Sequence, residues 1–181
     1  MILANFSMKL LSNMENILLN DLLIFNDYHP SSRVWIFPSN RTLSKNEMSY
    51  LNEELNKFLE NWKTHGEAMR SNAVWLFDQF WIVVADESYL APSGCSTDAL
   101  TRFVRALGES VKLDLLNYAN VPYRLSNGKI LSLPFGEMRK AVKEKKLDSG
   151  THIFQCSIQK LELLPTSFLV LPEDSFFASK A

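Results

Sequence analysis

Cysteine is nearly absent from this 181-residue chain and glycine is sparse, with two and six copies. Two thiols exclude the dense disulfide framework of a small secreted protein, and reduced cysteines in a cytoplasmic protein are the expectation. Six glycines leave little material for loops that cradle phosphate, and the pattern G-x-x-x-x-G-K-[ST] does not occur. Gly128-Lys129 is followed by Ile130 and falls in a hairpin pattern. ATP hydrolysis by the phosphate-loop route is therefore excluded. Three histidines and two cysteines, without ligand spacing, predict no metal site, and no cofactor motif is present. There is no uninterrupted apolar run long enough for a membrane span. An excess of one charge is also missing. Nineteen Lys and Arg stand against twenty Asp and Glu, a net charge of −1, so nothing speaks for nucleic acid or for a charged tail. Lys143-Glu144-Lys145-Lys146, the one basic cluster, reads as favourable charge at a helix C-terminus.

What is present is the composition of a globular protein, 46% hydrophobic and 22% charged. Aromatics are plentiful, with twelve Phe and four Trp, which fits a well-packed core or an exposed aromatic surface. The length favours one domain with a real core. Leu11, Met14, Leu18, Leu22 and Phe25 share helical spacing, but Asn, Ser, Glu and Asp interrupt the segment and no basic start precedes it. Residues 1–28 thus read as an appended helix or a mis-assigned start, with Met8 and Met14 as alternative starts, and not as a targeting segment. Residues 29–181 read as a single α+β domain.

Arg33-Val34-Trp35-Ile36-Phe37 predicts a strand ending at Pro38. Ser44-Lys45-Asn46-Glu47 is a capping box, flanked by a Leu43–Met48 staple, and opens a helix carried by Met48, Leu51, Leu55, Phe58, Leu59 and Trp62. The helix is expected to stop near His65-Gly66. Val74–Phe77 and Phe80–Ala85 predict a hairpin turning at Asp78-Gln79, the second strand central and covered on both faces. A helix over Ser96–Gly108 buries Leu100, Phe103, Val104 and Leu107. Two strands around Ser126-Asn127-Gly128 form another hairpin. Pro134 starts a third helix carried by Phe135, Met138, Ala141 and Val142, and Thr151–Phe154 can form a last strand. The tail from Leu161, broken by Pro165 and Pro172, is expected to hold little structure. The order β-α-ββ-α-ββ-α predicts an α+β fold with one mixed or mostly antiparallel sheet and helices packed on it.

Ser32-Arg33-Val34-Trp35-Ile36, Ser39-Asn40-Arg41, His65-Gly66, Asp86-Glu87-Ser88 and Gly94-Cys95-Ser96 with Asp98 follow one another in an order that resembles a small bacterial family of uncharacterised proteins. Its members often carry the label "ABC transporter ATPase". The resemblance covers residues 30–150. The tryptophan-containing ending of the family is replaced here by Pro172-Glu173-Asp174-Ser175-Phe176. Membership would imply no established activity, and the missing phosphate loop argues against the label.

The same motifs mark the candidate site. Cys95 lies at a helix start, where free backbone N–H groups and the dipole favour a thiolate. Ser93, Gly94 and Ser96 can add donors for a bound anion, or merely cap the helix. Asp86, Glu87 and Ser88 leave a buried strand, and the two carboxylates can serve as acid and base. Adjacent residues of an extended chain point apart, so one of the two is expected to face away from a shared pocket. His65 can act as base to Cys95. Asp98 or Asp86 can orient that histidine. Asn40 and Arg41 follow the first strand, and Arg41 can clamp an anionic group or form a surface ion pair. Three readings follow. The first is a cytoplasmic binding domain for a small anionic ligand or a protein partner. The second is a thiol-dependent enzyme with Cys95 as nucleophile. The third is a structural interaction module using its aromatic surface.

Overall fold

Six consecutive apolar residues cannot all face one side of a strand, so Phe80–Ala85 needs cover on both faces. The computed structural model, which describes Leu18 and residues 20–88 and 90–178, provides it. Strand β5 (Phe80–Ala85) lies between β1 (Arg33–Pro38) and β4 (Ser71–Leu76) in an antiparallel sheet, and every one of its residues is buried. Trp81, Val83 and Ala85 share a core with Leu51, Leu55 and Leu59 of helix α1 (Lys45–Glu60) and Leu100, Val104 and Leu107 of α2 (Gly94–Ser110). Trp81 stacks on its cross-strand partner Trp75, with ring centroids 5.0 Å apart, and donates from Nε1 to Asn52. Phe80, Ile82 and Val84, on the other face, expose no surface either.

Ser44 and Glu47 form the expected capping box at the start of α1. The helix, however, ends at Glu60 with Asn61 as its cap, well before Gly66. His65 and Gly66, at φ of 50° and 87°, make the two-residue turn of a short hairpin between β2 (Lys63–Thr64) and β3 (Glu67–Ala68). A glycine suited to positive φ serves a helix terminus and a mirror-image hairpin turn equally well, so Gly66 marks a reversal without saying which kind. The β4–β5 turn is likewise centred one residue earlier than expected. Phe77 and Asp78 take positive φ, and the Gln79 N–H donates to Leu76 O. Helix α2 begins two residues before Ser96 because Ser93 is its cap.

A second unit is built on β6 (Asn120–Arg124) and β7 (Ile130–Pro134), joined by the expected turn with Gly128 at φ 90°. Strand β8 (His152–Phe154) pairs with β6. Helix α3 (Phe135–Lys143) buries Met138 and Val142 against Val121, Ile153 and Phe177. The tail is ordered, contrary to expectation. It forms α4 (Leu164–Ser167), β9 (Leu169–Val170) paired with β8, and 3-10 turns at Pro172–Asp174 and Phe176–Ala178, with Leu164 and Phe168 fully buried. Pro165 and Pro172 sit in the first turns of these helical segments, where a missing N–H costs nothing, so they start structure instead of breaking it.

The α+β class is as expected, and all pairing among the described strands is antiparallel. The strands divide among three sheets and not one. The described residues group into two compact units, one within 20–117 with Gln159–Glu162, the other Leu18 and Tyr118–Ile158 with 163–178. The expected single domain over 29–181 contributes to both. Of the expected extension 1–28, residues 1–17 and 19 lie outside the described residues. Leu22 and Phe25 are buried, and Phe25 meets Tyr28 edge-on at 5.5 Å.

Candidate functional site

The start of α2 carries the largest group of predicted site residues. Ser93 Oγ accepts the Ser96 N–H at 3.2 Å, and Ser96 Oγ donates back to Ser93 O at 2.9 Å. The Ser93 N–H donates to Thr64 Oγ1 at 3.1 Å, which ties the β2–β3 hairpin to the helix start. Trp62 Nε1 donates to Ser96 O at 2.9 Å and buries that serine. Both serines are thus occupied as caps and braces. Gly94, Cys95 and Asp98 are exposed. Among the described residues, no protein acceptor takes the N–H of Gly94 or Cys95. Cys95 is a free, exposed thiol in the first helical turn. His65 lies in the hairpin turn next to Thr64 and is also exposed, and no hydrogen bond joins it to Cys95.

Asp86 stands at the end of β5 and is only 4% exposed. Its Oδ1 accepts the Ser88 N–H and hydroxyl at 3.0 and 2.6 Å, and its Oδ2 pairs with Arg70 Nη1 at 3.1 Å. Burial is the largest single influence on its pKa and pushes it up. The Ser88 hydroxyl and N–H, Arg70 and a His29 backbone N–H together outweigh burial and hold the carboxyl below its ordinary value. Arg70 also bonds the carbonyl and the carboxylate of Asp27, and its guanidinium lies 4.5 Å from the Tyr28 ring centroid. At neutral pH Asp86 is a fixed anion that fastens residues 27–29 and Ser88 to the strand end. Glu87 is half-buried and takes no part in this group.

Asn40 and Arg41 hold a third position. Asn40 exchanges hydrogen bonds with the Asp114 backbone, donating its N–H to Asp114 O and accepting the Asp114 N–H at Oδ1. Arg41 grips Glu47 through both terminal nitrogens, at 2.6 and 3.2 Å. Arg41 and the Ser44 cap hold the Glu47 carboxyl down to about 2. A groove of about 270 Å³ opens beside this pair, lined by Asn46, Glu47, Tyr50, Leu51 and Val111. Its wall is mainly apolar and presents a carboxylate, which suits no small anion. Among the described residues, no side-chain hydrogen bond or ion pair links the Arg41 corner, the Asp86 group and the α2 start to one another.

No family model, curated protein or solved structure matches the chain. The described residues hold no group of three or more His, Cys, Asp or Glu placed to bind a metal ion, and none of their helices is long and apolar enough to cross a membrane.

One surface escaped the sequence reading. Phe135, expected on the buried face of its helix, is 45% exposed, and Phe176 is 67% exposed. Their ring centroids are 6.4 Å apart, and each meets the buried Phe177, at 5.0 and 5.9 Å. The Phe176 N–H donates to Gln155 Oε1, and Gln155 Nε2 donates to Ser167 O, so the turn presenting Phe176 is held in place. The available signal was the Phe176-Phe177 pair set in the short polar stretch after Pro172.

Proposed function

We propose that the chain is a non-catalytic binding domain that engages a protein partner through Phe135 and Phe176. The observation that carries this reading is the aromatic cluster itself. Single exposed apolar residues are ordinary, but two large rings held over a buried third form a pre-ordered anchor site. Aromatic contacts of this kind dominate the energy of protein interfaces. The polar candidates support the same choice. Arg41, Asp86, Ser93 and Ser96 are already engaged by partners inside the chain. The thiol-enzyme reading needs a base within hydrogen-bond reach of Cys95, and among the described residues no such bond is present.

The test is selection of binders from a random peptide library on the immobilised full chain. Selected peptides are then measured against Phe135→Ser and Phe176→Ser, with circular dichroism and thermal unfolding confirming that both variants fold. Loss of binding by about tenfold or more in either variant supports the reading. Equal binding to wild type and both variants refutes it. So does failure to select any peptide while inorganic phosphate shifts the amide resonances of Gly94 and Cys95, a result that would establish the anion-binding reading instead.

A further inference from the structure

We infer that the partner segment engaged by this surface is acidic on one side of its apolar anchor, an inference that rests on the aromatic docking face proposed above. Along α3, Arg139 and Lys143 follow Phe135 at intervals of four residues, so the three lie in one row on the helix surface. Lys140 lies on the same solvent side, opposite the buried Met138 and Val142. Arg139, Lys140 and Lys143 are exposed, and among the described residues none has a carboxylate within ion-pair distance. Glu137 lies one turn before Lys140 and beside it, but is not a helix-surface neighbour of Arg139 or Lys143, so the row itself carries no carboxylate. Glu144 is taken by Lys146 at 2.5 Å. The row of free cations therefore begins at an exposed aromatic ring.

The sign of the surface changes on the tail side of the rings. The turn that leads into Phe176 carries Glu173 and Asp174, both exposed. A uniformly charged polyanion, such as nucleic acid or an anionic bilayer, would meet these carboxylates together with the cations. The chain as a whole, at −1, offers it no long-range attraction. A peptide with carboxylates on one side of its anchor meets only the cations. From Phe135 to Lys143 the helix rises about 12 Å, which an extended peptide covers in about four residues. The acidic residues of the partner thus fall within about four positions of its anchor. Charge complementarity of this kind sets partner choice and orientation more than raw affinity.

The experiment measures fluorescence anisotropy of labelled synthetic peptides with the full chain. One set has an aromatic or leucine anchor followed by Asp and Glu, and matched sets replace the acids by Ser and Asn or by Lys. Phosphatidylserine vesicles and a single-stranded oligonucleotide are measured beside them. The acidic set is expected to bind about tenfold more tightly than the neutral set, and to weaken as salt rises from about 0.05 to about 0.5 M. The double variant Arg139→Glu, Lys143→Glu should turn the preference toward the Lys set, and Phe176→Ser should weaken every set. Unfolding curves check that the variants remain folded. Equal, salt-insensitive binding of acidic and neutral peptides overturns the acidic partner but leaves the docking face standing. Failure of every peptide to bind the folded wild type overturns both. Tighter binding of vesicles or oligonucleotide than of any peptide overturns the assignment of the partner to the protein class.

Discussion

Just past the end of helix α2 a lysine takes the left-handed position where a glycine would be expected, and a pair of substitutions there tests the geometry by sign. Its last residue is Ser110 and its cap Val111. Lys112 then takes φ 57° and donates its N–H to Glu109 O at 3.2 Å, while the Leu113 N–H reaches back to Gly108 O at 2.8 Å. This is the left-handed helix terminus that usually places glycine at the position of Lys112. A left-handed L-residue costs about 1–2 kcal/mol, and glycine gives back about 0.5–1 kcal/mol as extra freedom of the unfolded chain. Lys112→Gly should therefore exceed Lys112→Ala in stability by about 0.5–1 kcal/mol. The alanine variant is the right reference, because both lose the lysine charge at the helix end. Gly108 behaves in the opposite way. A Cβ added there would lie 2.7 Å from Leu113 O, and Leu113 cannot retreat without breaking its own bond to Gly108 O. Overpacking costs about 1–3 kcal/mol, against the roughly 1 kcal/mol that alanine gains over glycine in a helix, so Gly108→Ala should destabilise by about 1 kcal/mol. Urea unfolding reads both differences, which for a chain of this size correspond to melting shifts of about 2–4 °C per kcal/mol. A stabilised Gly108→Ala, as helix propensity alone predicts, or a Lys112→Gly no more stable than Lys112→Ala, would refute this account of the terminus.

Asp86→Asn should cost about 1.5–3 kcal/mol, since it weakens the charge-assisted bonds to Ser88 and Arg70 at a buried site, and chemical denaturation measures it. The depressed pKa of Asp86 means its contribution is fully present above the unfolded carboxyl value near 4. That contribution is lost as pH falls through the lower folded value, so wild type and Asp86→Asn should converge in strong acid. His152 works through the other kind of group. Burial, with help from Arg124, pushes its pKa below the ordinary 6.5, and its Nε2 has no partner among the described residues. The unfolded chain takes up that proton first, so stability should be complete above about pH 6.5 and decline below it, and His152→Gln should flatten the slope between pH 5 and 7. Mass spectrometry after brief alkylation of the native protein near neutral pH should find label on Cys95 and little on Cys156. Cys95 is exposed, whereas Cys156 is only partly exposed as a residue and desolvation pushes its thiol up to about 12. Equal labelling would show that the Cys156 thiol is not shielded from solvent.

The elements that were legible in the sequence are those fixed by local chemistry. Ser44 and Glu47 specify a helix start by themselves, and the apolar run Phe80–Ala85 leaves a strand no choice but the middle of a covered sheet. Reversals were legible as places but not as kinds. Gly66 read as a helix stop and is a hairpin turn. Gly108 read as a helix end but stays helical, and its missing Cβ makes room for the carbonyl of Leu113, while the left-handed position falls to Lys112. Lys145 does the same at the end of α3, where its φ is 51° and Lys146 N–H reaches back to Ala141 O. A lysine carries no local mark of that conformation, because the closing hydrogen bonds and the packing of the following residue impose it. The ordered tail was missed for a related reason, since a proline is read as a break until its place in a helical first turn is known.

The candidate site illustrates the same limit in chemical form. A sequence lists which groups are charged or nucleophilic, but not which of them are already satisfied. Arg41 is one residue type with two fates, clamp for an anion or partner to Glu47, and the capping box that positions Glu47 decides between them. Asp86 ends a strand in the way a catalytic carboxylate often does, yet Ser88, Arg70 and a backbone N–H take up its oxygens. The groups presented to solvent are different ones. They are the Cys95 thiol with two backbone N–H groups, the exposed rings of Phe135 and Phe176, and the cations Arg139, Lys140 and Lys143. Phe135 and the cations stand together on α3, and Phe176 packs beside Phe135 from the tail, which is why the functional reading rests on α3 and its aromatic neighbours.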